Sequence, residues 1–79
     1  MTIERINKMI DIAIEDAAIR PQAMKETNAL NAEYALGMIF AFLGIIRELY
    51  GIDLYIENAE KRRDIINELT ERAQAVYKA

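Results

Sequence analysis

Apolar residues recur at helical spacing in three blocks along the chain. In the first, Ile3, Ile6, Ile10, Ala13 and Ala17 follow a +3, +4, +3, +4 rhythm, which is one stripe of a helix. The pattern predicts a first helix over about residues 2–19. Thr2 is its expected N-cap, and Glu4 sits in the first turn, where the helix dipole favours an acid. Pro21 stops the pattern, because the residue before a proline avoids helical backbone. The polar run 20–28 reads as a linker, and the second helix is expected over about 29–50. Thr27, Asn28 and Asn31 are each suited to cap it, which leaves its start open by a turn. Gly51 followed by Ile52 reads as a glycine stop.

The third helix is expected over about 54–78. Ile56, Ala59, Ile66, Leu69, Ala73 and Val76 fall on one face, with Arg62 or Arg63 completing it. Glu4–Lys8, Glu57–Lys61 and Glu68–Arg72 are spaced for i,i+4 ion pairs with the acid first. One signal runs the other way. Ile10–Glu15 and Ile52–Glu57 alternate apolar with other residues, a strand signature. Two short strands cannot cover a sheet in so small a chain, so the expected class is all-α.

The second helix differs from its neighbours. Tyr34, Leu36, Met38, Ile39, Phe40, Phe42, Leu43, Ile45, Ile46, Leu49 and Tyr50 place large apolar groups on every side, as in a helix buried all round. Two flanking helices of one short chain cover half to two-thirds of such a circumference. A second copy is the simplest cover for the rest, since two-fold dimers are the commonest oligomers. Gly37, Ala41 and Gly44 form a seam without bulk, where two backbones can approach closely. The expected architecture is therefore a three-helix chain that completes a helical bundle by homodimerisation, with Gly37, Met38, Ala41, Phe42, Gly44 and Ile45 at the interface. The competing expectation is that the first or third helix of the same chain fills the seam.

Composition narrows the chemistry. The chain has 79 residues, one domain spanning 1–79, with 53% apolar residues and a net charge of −3. A folded chain of this mass exposes ~4,900 Å² by size scaling, and a core so small makes a lone monomer marginal. No cysteine is present, so disulfides, thiolate metal sites and thiol nucleophiles are excluded. Without histidine the commonest general base and transition-metal ligand are missing as well. Serine is absent, and the hydroxyls of Thr2, Thr27 and Thr70 have no activating base. Lys61, Arg62 and Arg63 form the one basic run, flanked by Glu57, Glu60 and Asp64, so nucleic acid is not an expected partner. The unbroken apolar stretch Ala35–Ile46 is shorter than the ~18–20 residues a membrane span needs, and the first residues lack a signal-peptide pattern. No membrane partner is expected, and the cytosol is the expected compartment.

Two constellations merit weighing. Arg20, Lys25, Asn28 and Tyr34 supply polar groups near a helix start, and are the candidate contacts for a ligand or partner. Met9, Met24 and Met38 suit an adaptable surface. Glu57, Glu60, Glu68 and Glu71 repeat an E-x-x-E spacing, superficially that of a metal-dependent helical nucleotide pyrophosphatase. Basic residues interleave with these acids, which fits a solvated charged face better. The expected function is thus non-enzymatic and needs no cofactor or metal: a small helical interaction, adaptor or inhibitor module acting as a homo-oligomer on a protein partner. Alternatives are a small-ligand binder with a pocket between subunits near the 20–34 linker, and a metal-dependent helical hydrolase.

Overall fold

The computed structural model describes residues 1–77, which form four helices and no strand. Both alternating segments are helical, because the apolar stripe around them extends further than the alternation does. The first helix, α1, is Ile3–Asp16. Thr2 caps it as expected, its hydroxyl accepting from the Arg5 N–H at 3.2 Å. It stops short of residue 19. The chain must leave helical backbone ahead of Pro21, and the Arg72 guanidinium donates to the last carbonyl, that of Ala17.

The second helix, α2, is Lys25–Tyr50 and starts a turn earlier than expected. None of the three proposed caps serves. Met24 holds the N-cap position without a side-chain bond, and Asn28 turns back to the linker instead. Gly51 alone separates α2 from α3, Ile52–Lys61. Its φ of 95° and ψ of 172° belong to a region that only glycine visits readily, which is why one residue suffices to reverse the chain.

The expected third helix is broken. It comprises α3 and α4, Arg63–Gln74, joined at Arg62 with φ −112° and ψ 11°. Residue 78, placed in that helix by the sequence pattern, lies outside the described residues. Arg62 is buried as the stripe requires, whereas Ile56 is about half exposed. The neighbouring Tyr55 takes the inner position and lies beneath the Arg47 guanidinium, 5.8 Å from ring centroid to Cζ.

Helix α2 is the spine. The Tyr50 hydroxyl donates to the Met1 carbonyl at 2.7 Å, so α1 runs antiparallel to α2. The α3–α4 arm returns along α2 in the same sense as α1. Among the described residues, α1 and the α3–α4 arm do not approach one another closely along their backbones. Long arginines span the space between them. The core consists of Ile6 and Ile10 from α1, Ala17 just past its end, Ala32, Ala35, Ile39, Leu43 and Ile46 from α2, and Leu69 from α4. Each large member contributes about 1.5–3 kcal/mol through burial.

Candidate functional site

The buried residues of α2 form one stripe, Ala29, Ala32, Ala35, Ile39, Leu43 and Ile46. Helix α2 is therefore not buried all round within its own chain. Opposite the stripe lie Leu30, Tyr34, Gly37 and Ala41, with Phe40 on the flank, all exposed. Leu30 is 62% exposed, Tyr34 73% and Phe40 51%. A Cβ added at Gly37 or Gly44 would meet no atom within 4 Å. Among the described residues no helix fills the small-residue seam at Gly37 and Gly44, contrary to the competing expectation.

Of the six proposed interface residues, Gly37 and Ala41 are exposed, and Met38, Gly44 and Ile45 are half-buried at the edges of this face. Phe42 and Ile45 both pack against the chain's own core, and Phe42 lies away from the seam. Leu30 and Phe40 also belong to this exposed surface, although neither is among the six interface residues expected from the sequence. The signal for Leu30 was present, because 30, 34, 37, 41, 44 and 48 continue the glycine seam at +4, +3, +4, +3, +4.

Beside this face a cleft of about 320 Å³ opens between α1 and α2. Met9, Ile12 and Asp16 line it from α1, and Asn31, Tyr34 and Met38 from α2. Met9 and Met38 thus meet, while Met24 is exposed at the end of the linker.

Of the proposed contact group, Arg20, Lys25 and Asn28 lie together at the start of α2 and Tyr34 lies apart from them. Lys25 and Tyr34 are nine residues apart, two and a half turns, and so project from opposite sides of α2. Asn28 is occupied: its amide accepts from the Arg20 N–H at 3.0 Å and donates to the Arg20 carbonyl at 3.1 Å. Tyr34 alone of the four belongs to the apolar face and cleft.

Glu57, Glu60, Glu68 and Glu71 all point to solvent. Among the described residues no group of three or more acids is placed to hold a metal ion. The ion pairs among these residues are Arg62–Asp11 at 3.3 Å and the exposed Arg63–Asp64 at 3.8 Å. The expected i,i+4 pairs are not closed; Arg72 in particular turns inward to Ala17.

By length and composition alone, α2 is also sufficient to cross a membrane, with mean hydropathy 1.7 over its most apolar window. The window extends past the Ala35–Ile46 run because alanines surround the single charge of Glu33. Core helices of soluble proteins meet the same criterion. Comparison with known protein families, characterised proteins and solved structures finds no match.

Proposed function

We propose that this chain is a non-enzymatic interaction module that works as a homodimer, the second copy covering the outer face of α2. The observation carrying this is the unpartnered row of Leu30, Tyr34 and Phe40 beside two glycines with open space above them. Surface area supports it. The chain exposes 5557 Å², roughly 650 Å² beyond the ~4,900 Å² of an ordinary monomer of its mass. A standard interface removes ~800 Å² from each partner, so one dimer contact is the right size to absorb the excess. In the dimer the acidic outer surfaces bearing Glu57, Glu60, Glu68 and Glu71 stay free to meet a protein partner.

Light scattering across a concentration series tests the reading. The expected mass is twice the 9.1 kDa of one chain. Tyr34→Glu is expected to yield monomer with unchanged helix content, since Tyr34 lies outside the intrachain core. A wild-type chain that remains monomeric at high micromolar concentration would overturn the proposal.

The cleft supports a second reading, small-ligand binding. Its volume falls at the lower end of the ~300–1,000 Å³ typical of ligand pockets. Its walls are apolar, with Asp16, Asn31 and Tyr34 as polar groups, a combination suited to a small apolar amine. A rise in Tm with alkyl amines, abolished by Ile12→Lys, is the expected sign of such binding.

A further inference from the structure

Resting on that self-association, we infer that the two copies meet antiparallel, α2 against α2, with the two-fold axis at the level of Ile39. Leu30, Tyr34, Gly37, Ala41, Gly44 and Glu48 form a heptad seam along the outer face. In an antiparallel pair centred there, Gly37 of one copy lies beside Ala41 of the other. Tyr34 then lies over Gly44, and Leu30 beside Glu48. Bulk at one end of the seam meets the open space above a glycine at the other. A parallel pair would instead set Glu48 against Glu48 and Gly37 against Gly37, combining like-charge repulsion with an unfilled gap.

Charge selects the same arrangement. Glu33 and Arg47 lie on one flank of the seam with Phe40 midway between them, and all three are exposed. Antiparallel pairing puts Glu33 of each copy opposite Arg47 of the other, two ion pairs per dimer, with Phe40 against Phe40 between them. Arg47 is already held on this flank by Tyr55. On the other flank Met38 meets Met38, a contact between flexible side chains that adapt to one another. The seam glycines alone would not decide the arrangement; the self-complementary charges and the matched bulk do.

Two experiments test the register. The chain has no cysteine, so Gly37→Cys and Ala41→Cys each introduce a unique thiol. Equal amounts of the two variants are mixed, equilibrated and oxidised with diamide, and the covalent dimers are weighed by mass spectrometry. The mixed 37–41 disulfide is expected to predominate over both homodisulfides. Separately, Glu33→Arg and Arg47→Glu are each expected to weaken dimerisation about ten-fold, and the double variant to recover most of it. Homodisulfides, or a double variant no better than the singles, in a chain that still dimerises would overturn the antiparallel register and leave self-association standing. A monomeric wild-type chain would overturn both.

Discussion

Arg62, the residue between α3 and α4 where the third helix breaks, reaches Asp11 of α1, with Nη2 3.3 Å from Oδ1. The arginine side chain is buried and the carboxylate faces water. Its Nη1 also donates to the Asn58 carbonyl at 3.2 Å, while Nε has no partner. The contact spans the space between α1 and α3, where the backbones stay apart. It therefore ties the two outer helices to each other across that gap.

Buried ion pairs respond differently to losing one partner and to replacement by an apolar group. Asp11→Ala leaves the guanidinium buried without its acid and is expected to cost about 1–2 kcal/mol. Arg62→Met removes the buried charge, keeps a long side chain in the gap, and leaves a water-facing carboxylate and the Asn58 carbonyl without the guanidinium. It is expected to lie within ~1 kcal/mol of the parent. Urea denaturation of both variants checks the ordering, and a more damaging Arg62→Met would show that the pair itself stabilises the chain.

Asn28 closes the linker against the first turn of α2 through its two bonds to the Arg20 backbone. Asn28→Ala removes both and is expected to cost about 1–2 kcal/mol. Asn28→Asp keeps the acceptor, loses the donor and should fall between. Limited proteolysis within residues 17–24 is expected to follow the same order, read by mass spectrometry of the nicked chain.

Much of this architecture is legible in the residues. Ile6, Ile10 and Leu69 occupy the core that their spacing assigns them, and Thr2 caps where a threonine ahead of a stripe should. Local pattern was insufficient where a side chain is claimed from far along the chain. Arg72, fifty-five positions from Ala17, helps end α1, and Arg62 is drawn toward Asp11 at the break of the third helix. Asn28 looked like a cap because capping is local, yet its partner is eight residues back. On α2 the glycines drew attention to the outer face, but deciding which large residues remain uncovered required knowing where α1 and α4 dock.

Ile12 and Ile14 are both apolar, yet a helix points them to different surroundings. Ile12 lines the open cleft, whereas Ile14 packs against the core. Ile14→Lys is expected to destabilise the chain by about 2 kcal/mol or more, through burial of a charge beside the core. Ile12→Lys is expected to cost under about 1 kcal/mol, because its ammonium reaches water along the cleft. Circular dichroism melts at matched concentration compare the two. Equal damage from both substitutions would contradict the helical placement of this segment.

The three glycines divide by backbone and by surroundings. Gly51 sits at φ 95°, so Gly51→Ala is strained although nothing crowds its Cβ position; a cost of about 1–3 kcal/mol is expected. Gly37 and Gly44 are helical and open, and alanine there should favour the helix by about 0.5–1 kcal/mol. That gain belongs to the single chain. Where two α2 helices approach along the seam, the added methyl at Gly37 pushes them apart, so Gly37→Ala should stabilise the monomer and weaken the dimer. Urea melts of diluted protein measure the first effect, and a sedimentation series measures the second. A Gly37→Ala chain that gains stability and dimerises as tightly as its parent would show that the second copy does not press on this seam.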